Sequence, residues 1–324
     1  MLNAPEPEDD GRSVDPLPFC VCVPARNEVA RLPVLLRALA AQTVVGPVRI
    51  AVLVNNSGDD TAQAARDAAT ALEGRLDMTL REVTLPAEHA NAGGARALAM
   101  DLGISRLEGR EDAVLISTDA DSRPPRDWVA KTLRAFQAGA DIVGGRLVID
   151  ERDPLAHDMG RARALWDRYW TEVRAIEDAI DPVAWDPAPR HGDHTGASLA
   201  LRVSTYRAAG GIPPIASGED RALVEAAVAI GARLRHPVDV WTRVSGRLDG
   251  RARGGMADHL LALADTLAQG QPVLAPSLDQ WRQRARWRAE RRASSVSPDV
   301  ILEAERSLEP MVADMVLADV GVVA

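Results

Sequence analysis

Short apolar runs alternate with helix-like segments through the first half of the chain. Strands are predicted at Phe19–Val23, Val48–Val54, Met78–Val83, Ala113–Thr118 and Asp141–Gly145. Between them, helices are predicted at about Glu28–Ala41, Asp60–Leu72, Gly93–Leu107 and Pro125–Gln137. Such alternation is typical of a mostly parallel sheet with helices on both faces. The sequence therefore predicts an α/β fold.

The pattern changes after Pro154. The second half is predicted as a helix at Leu155–Ala179, a loop at Asp181–His194, a strand around Ser198–Val203, a helix from near Glu219, strands around Arg233 and Val238–Val244, and charged helices beyond Asp258. We expect three parts: a disordered tail at 1–17, one domain at 18–258 with halves 18–150 and 151–258, and a helical C-terminal extension at 259–324.

Composition narrows the class of protein. The chain has 324 residues and a formal net charge of −9, which argues against a general nucleic-acid binder. No apolar run approaches the roughly 20 residues of a transmembrane helix, so we expect no membrane span. The acidic, proline-rich start does not look like a signal peptide. Cys20 and Cys22 are expected to be reduced core residues, and we predict a cytoplasmic protein.

Two carboxylates, Asp119 and Asp121, follow the predicted strand that contains Ala113–Ile116. The carboxyl ends of parallel strands are where open α/β sheets bind ligands. Carboxylates this close repel each other unless a positive charge lies between them, and a divalent cation that holds a diphosphate would supply it. The alternative is structural, because Asp is common in turns and caps the helix that follows.

Polar clusters also follow the first three predicted strands. They are Pro24–Glu28, the amide-rich turn Asn55–Asp60, and Asn91–Arg96, a glycine-opened helix start with an arginine one turn in. The last arrangement suits an anion at a helix N-terminus. Each cluster alone is an ordinary turn or cap, but their occurrence at successive strand ends favours a binding crevice.

In this order the motifs resemble family 2 glycosyltransferases of the GT-A fold. The matching stretches are VPARNE (Val23–Glu28), NNSGDDT (Asn55–Thr61), AGGARALAMDLG (Ala92–Gly103), STDADSRPPRDWV (Ser117–Val129), GASLALR (Gly196–Arg202) and SGEDRAL (Ser217–Leu223). The resemblance implies a Rossmann-like α/β/α sandwich, with the nucleotide-sugar half at 18–150 and the acceptor half at 151–258. It also implies a divalent metal, Mn²⁺ or Mg²⁺, and transfer of a sugar to an acceptor hydroxyl with inversion at the anomeric carbon.

The resemblance assigns roles to the donor-binding residues. The segment that lines the nucleoside pocket is matched by Pro24, Ala25, Arg26 and Glu28. Asn55 and Asn56 stand where the family usually has acidic residues, one of which contacts the base. An amide both donates and accepts hydrogen bonds, so the base stays open. Uridine is the default, with guanosine and thymidine as alternatives, and Arg96 matches the family's basic residue on the third helix.

The resemblance also assigns metal and catalytic residues. Asp119 and Asp121 match the DXD motif, Asp121 as the firmer metal ligand and Asp119 as a contact to ribose and metal. Asp220 matches the general base, and Glu219 beside it would orient the base or bind the acceptor. The structural alternative is that Ser217 and Asp220 form a helix-capping box, because they spell S-x-x-D before an apolar run.

Weaker sequence signals concern the donor loop, further metal ligands and the acceptor. The stretch Trp241–Arg247, which contains Arg243, resembles an arginine-bearing loop that closes over the diphosphate, together with Arg251, Arg253 and two glycines after it, although it also suits a solvated loop. His194 and His259 are candidate third metal ligands. The region Pro154–His194 is the expected acceptor wall, and its tryptophans are Trp166, Trp170 and Trp185. We favour a core position for Trp166 and Trp170.

The expected partners are a nucleotide-sugar donor, first of all a UDP-sugar, and an unknown acceptor. A homodimer is also left open.

Two other functions remain open from the sequence. A nucleotidyltransferase that makes the nucleotide sugar would open with a glycine-rich basic loop, whereas this chain has Pro24-Ala25-Arg26-Asn27. A non-catalytic sugar-nucleotide binding protein is favoured by Asn55 and Asn56 and disfavoured by the intact acidic residues.

Overall fold

A central sheet and the helices around it make up most of the chain. The computed structural model describes residues 17–250 and 255–317. The strands are β1 (Phe19–Ala25), β2 (Val48–Asn55), β3 (Leu76–Val83), β4 (Val114–Ser117), β5 (Ile142–Gly144), β6 (Arg146–Ile149), β7 (Leu199–Arg202), β8 (Leu234–Arg235), β9 (Trp241–Val244), β10 (Leu274–Ala275) and β11 (Met315–Val316). The helices are α1 (Leu32–Ala40), α2 (Thr61–Ala71), α3 (Ala92–Arg106), α4 (Trp128–Gln137), α5 (His157–Ile180), α6 (Val203–Ala208), α7 (Glu219–Ala229), α8 (Met256–Ala268), α9 (Leu278–Ala293) and α10 (Pro298–Arg306).

The main sheet has seven strands in the order β3-β2-β1-β4-β7-β5-β8. All neighbours are parallel except β7, which runs antiparallel to both β4 and β5. The register of β1 places Val21 beside Ile50 of β2 and Ile116 of β4, so three apolar runs meet at the centre of the sheet. The α/β fold with a mostly parallel central sheet, followed by further helices, is confirmed.

Apolar residues cover both faces of the sheet. One cluster packs Val21 and Ile116 against Leu35 and other residues of α1, α2 and α4. The opposite cluster packs Leu115 against Met100 of α3 and against α7. A Cβ at Gly103 would lie 2.4 Å from the sulfur of Cys22, so this glycine allows α3 to lie directly on β1. Both cysteines are free and buried, as expected.

Helix α1 begins at Leu32, four residues later than the start predicted near Glu28. The residues before it form a turn, because the Arg31 N–H donates to the Glu28 carbonyl at 3.1 Å. Helix α4 begins at Trp128 after two prolines and not at Pro125. The sequence did not indicate β6, whose residues pair in parallel with β9 beside the main sheet.

The last described helices pack against α5. Tyr169 and Val173 of α5 are buried with Ala275 and Leu317, and the short antiparallel pair β10–β11 holds this end of the chain. Helix α8 runs across the predicted boundary between 258 and 259, and the division into parts stays a prediction. The predicted tail, except for Leu17, lies outside the described residues. Within the described ranges, no helix is long and apolar enough to cross a membrane.

Candidate active site

A cleft of about 410 Å³ opens at the carboxyl ends of β1, β2 and β4. The predicted site residues that line it are Pro24, Ala25, Arg26, Glu28, Asn55, Arg96, Asp119, Asp121, Glu219 and Asp220. They come from five separate segments of the chain. The fold thus brings together these donor, metal and catalytic candidates, but Asn56 and His194 are not part of the lining, and Arg251 and Arg253 lie outside the described residues.

The loops after β1 and β2 are fastened to each other at the cleft edge. Asn27 has a left-handed backbone with φ of 53°, its N–H donates to Ser57 Oγ at 3.0 Å, and its Oδ1 accepts from the Gly58 N–H at 2.8 Å. The Glu28 N–H donates to Thr61 Oγ1 at 2.8 Å. These bonds hold Glu28, which is 5% exposed, on the cleft wall.

The two asparagines after β2 have different surroundings. Asn55 is buried and lines the cleft. The Asn56 side chain donates to the Leu85 carbonyl and accepts from the Leu85 N–H, both at 3.0 Å. Its amide therefore ties the end of β2 to the segment after β3. Asn55 is consequently the better placed of the two for contact with a base.

Arg96 is buried and connects the end of β4 to Gly196 and to the first residue of α7. Its guanidinium donates to Ser117 Oγ at 2.8 Å, to the Gly196 carbonyl at 3.0 Å, to Asp119 Oδ1 at 3.0 Å and to Glu219 Oε1 at 3.1 Å. The sequence suggested an anion at this helix start. The structure instead commits Arg96 to two carboxylates, and the Asn91 side chain caps the Gly94 N–H at 2.9 Å.

Gly196 has a role at this junction that the motif alone did not reveal. A Cβ on this residue would lie 2.2 Å from Cζ of Arg96, so only glycine leaves room for the guanidinium. The signal in the sequence was its place at the head of the GASLALR stretch. Ser117 was likewise missed as a partner of Arg96, because a serine at a strand end carries no specific signal.

The acidic pair lies in the cleft, where each carboxylate has an arginine partner. Asp119 contacts Arg96, and Asp121 Oδ2 lies 3.0 Å from Arg247 Nη2. Burial, and then the neighbouring Asp119 carboxylate, raise the pKa of Asp121 to about 6. A further cation would relieve the repulsion between the two carboxylates that contributes to this raised pKa.

The carboxylates of the cleft suit a divalent cation whose coordination shell is completed by a bound ligand. Among the described residues, no three His, Cys, Asp or Glu side chains are grouped closely enough to hold a metal by themselves. Mg²⁺ commonly takes only one or two carboxylates from the protein and completes its shell with water and substrate phosphates. Asp119 and Asp121 provide that number of carboxylates, with side chains 37% and 18% exposed.

Asp220 faces the cleft and does not cap its helix. Helix α7 begins after Gly218, a left-handed residue with φ of 76°, and no side chain caps it. Asp220 Oδ2 accepts from the Gly196 N–H and Oδ1 from the Arg221 N–H, both at 2.7 Å. The capping-box alternative with Ser217 is therefore not formed. Backbone donors instead fix the orientation of this carboxylate on the cleft wall.

Glu219 is 4% exposed, and its carboxylate pairs with Arg96. It is therefore poorly placed to contact a ligand in the cleft. Of the two roles that the resemblance left open, orientation of neighbouring groups suits this position better than contact with the acceptor.

The two candidate histidine ligands lie in different places. His259 lines the cleft on α8. His194 Nδ1 is 3.2 Å from His236 Nε2, and His236 Nδ1 is 2.7 Å from Asp186 Oδ2, which makes a hydrogen-bonded chain outside the cleft lining. Burial and the nearby His236 lower the pKa of His194 to about 4. His194 thus has a structural partner in place of a metal.

The tryptophans of the expected acceptor wall form part of an aromatic cluster. Trp166 stacks on Trp170 with ring centroids 6.4 Å apart, and Trp281 of α9 packs edge-on against Trp170 at 5.5 Å. The Trp281 ring N–H donates to the Tyr169 hydroxyl at 2.5 Å. This cluster joins α5 to α9. Trp166 packs against the buried residues there, but Trp170 is 42% exposed, so the expected core position is wrong for Trp170. Trp185 is 45% exposed on the loop before His194.

Comparisons with known proteins point to one family. Residues 20–180, about half of the chain, match the sequence model of Glycosyl transferase family 2. No curated protein matches the sequence.

Several solved structures are similar to this chain. S. aureus TarS 1-349 is 14% identical, with 86% of this chain and 73% of that chain covered and a TM-score of 0.49. Mannosyltransferase PcManGT from Pyrobaculum calidifontis, in complex with GDP-Man and Mn²⁺, is 20% identical, with 90% and 79% covered and a TM-score of 0.48. Glucosyl-3-phosphoglycerate synthase of M. tuberculosis is 18% identical, with 81% and 85% covered and a TM-score of 0.42.

Proposed function

Because the chain belongs to glycosyl transferase family 2, we propose that it moves a sugar from a UDP-sugar to an acceptor hydroxyl with inversion at the anomeric carbon. One observation carries this proposal: the acidic pair Asp119 and Asp121, the wall at Glu28 and the carboxylate of Asp220 all line a single cleft. Charged groups from distant parts of the chain converge where a parallel sheet offers a ligand site.

In this proposal the nucleoside lies against the wall formed by Pro24–Glu28, with Asn55 below it. Arg26 is exposed at the cleft edge and donates to the Ala90 carbonyl at 3.3 Å, which joins the first and third strand ends around the pocket. The fastened loops after β1 and β2 keep this wall in place before the donor arrives, so little ordering accompanies binding.

Asp119 and Asp121 would hold the divalent cation, Mn²⁺ or Mg²⁺. When bound, such an ion supplies positive charge to the diphosphate that leaves with the nucleoside. Arg96 fixes Asp119 from the buried side, so this carboxylate presents its other oxygen from a rigid position.

Asp220 would accept the proton of the acceptor hydroxyl. The acceptor oxygen then bonds to the anomeric carbon, the bond from that carbon to the diphosphate breaks, and the nucleoside diphosphate leaves with the electron pair. The two backbone N–H donors orient the Asp220 carboxylate. Glu219 acts as a positioning residue, because it holds Arg96, which in turn binds the Gly196 carbonyl beside Asp220.

Release of UDP from UDP-sugars, measured with Mn²⁺ and with a chelator, tests this function. Asp220→Asn should keep the UDP affinity and lose about 10²–10⁴-fold in turnover, the usual contribution of a general base. Asp239→Asn, an exposed aspartate outside the cleft lining, is the matched control. Wild-type turnover in Asp220→Asn would place the base elsewhere.

A further inference from the structure

Arg247 bridges two walls of the cleft. Its Nη1 donates to Glu28 Oε2 at 3.1 Å, while its Nη2 bonds Glu28 Oε1 and also lies 3.0 Å from Asp121 Oδ2. The side chain is only 11% exposed although it belongs to the loop after β9. One guanidinium therefore neutralises part of the charge of carboxylates that follow β1 and β4.

Arg247 is held differently from Arg96. Arg96 also binds a backbone carbonyl and a hydroxyl, so its position is fixed by neutral groups as well as charges. Among the described residues, the Arg247 guanidinium contacts only carboxylates. Its position therefore depends on those charges, and another cation at the same oxygens would compete with it directly.

Arg247 contacts an oxygen of Asp121, which is the firmer of the two assigned metal ligands. A divalent cation bound to Asp121 would place its charge beside the guanidinium nitrogen that lies 3.0 Å from Oδ2. Like charges at such a distance repel strongly in a partly buried cleft. A cation at Oδ2 would take this contact from Arg247, and a cation at Oδ1 would still weaken it by repulsion.

We propose that Arg247 is the resident counter-ion of Asp121 in the donor-free protein, and that a divalent cation must displace it to bind. This inference rests on the proposed function in one respect, the assignment of Asp121 as a metal ligand. The displaced guanidinium stays near the cleft through Glu28, where its charge favours the diphosphate of the donor. Arg247 therefore weakens binding of the metal alone and strengthens binding of the nucleotide with the metal.

The experiment measures Mn²⁺ affinity by electron paramagnetic resonance of the free ion, without nucleotide and then with UDP. Arg247→Gln should bind Mn²⁺ alone about fivefold more tightly than wild type, as expected for loss of a competing ion pair. With Mn²⁺ saturating, the same variant should bind UDP about tenfold more weakly, because a charge-assisted contact is lost.

Two further variants separate local from general effects. Arg243→Gln removes the same charge from β9, where the side chain pairs with Glu151 at 2.8 Å and stacks on Trp241 outside the cleft lining. It should leave both affinities within about twofold of wild type. Arg247→Lys keeps a positive charge beside Glu28 and should bind Mn²⁺ alone much as wild type does. This variant still tests the role of the charge if Arg247→Gln folds poorly.

The outcomes distinguish this inference from the proposed function. If Mn²⁺ binds wild type and Arg247→Gln equally, or the variant more weakly, the counter-ion role is wrong while the metal site stands. If neither protein binds Mn²⁺ with or without UDP, the metal assignment fails and the inference with it.

Discussion

Replacement of Arg96 by methionine should destabilise the protein more than any other single arginine change in the cleft. The guanidinium is 6% exposed and bonds four acceptors, two of which are carboxylates. Methionine preserves the aliphatic stem but leaves Glu219, itself 4% exposed, without its cation. Loss of one partner of a buried ion pair costs about 3–5 kcal/mol. Asp119 contributes less to this cost, because its side chain is 37% exposed and can be hydrated.

The expected change in melting temperature follows from the size of the chain. An unfolding entropy of about 2.1 cal/mol/K per residue gives about 0.7 kcal/mol/K for 324 residues. A loss of about 4 kcal/mol therefore lowers Tm by about 6 °C in a calorimetric scan. Arg81→Met, on the exposed surface of β3, is the control and should change Tm by less than about 1 °C.

A double variant identifies the cause of the loss. Arg96→Met combined with Glu219→Gln removes the uncompensated charge, so it should recover about 2 kcal/mol relative to Arg96→Met alone. If Arg96→Met melts within about 1 °C of the Arg81→Met control, or if Glu219→Gln adds to the loss, the ion pair does not stabilise this junction as described.

Two other predictions concern stability away from the cleft. The pKa of His194 is about 4 in the folded protein against an ordinary value of 6.5, so stability is complete above about pH 6.5 and is lost as pH falls toward 4; we expect a loss of about 2 kcal/mol for this partly exposed ring. His194→Gln should flatten that pH dependence in urea titrations, and an unchanged slope would contradict the assignment. Arg288→Met should cost about 2 kcal/mol, because its side chain bonds the buried Glu177 and joins α9 to α5. Arg282→Met on the same helix, whose ion pair is 43% exposed on the arginine side, should cost less than about 1 kcal/mol; equal losses in the two variants would contradict the docking role.

Much of the central sheet could be predicted from the sequence because its strands are long apolar runs. β1, β2 and β4 are buried on both faces, and such strands carry a strong local signal. The strand β9 lies within the segment predicted as a strand at Val238–Val244, but β6, β10 and β11 were not predicted, since strands of two to four residues show no periodicity. The position of β7, antiparallel within the sheet, depends on packing between distant segments and leaves no local pattern.

Cleft residues could be predicted where a motif specifies the residue type. Their contacts could not be predicted where the two partners are far apart in the sequence. Asp119 and Asp121 were singled out because they follow a buried strand, and Asp220 because of the resemblance; all three line the cleft, and their roles stay predictions. The pairing of Arg96 with Asp119 spans 23 residues and that of Arg247 with Glu28 spans 219, so neither can be read locally. The prediction that Asn56 lines the cleft did not hold, because the sequence does not show that its amide bonds the Leu85 backbone.

Calorimetric titration of UDP into the protein, with Mn²⁺ and with a chelator, tests most directly whether the acidic pair holds a metal-bound diphosphate. We expect wild-type affinity to fall at least about tenfold when the metal is removed, and Asp121→Ala to show the weak affinity under both conditions. Asp112→Ala, which changes an exposed aspartate paired with Arg110, should behave as wild type. Equal UDP affinity for Asp121→Ala and wild type in Mn²⁺ would contradict the metal site.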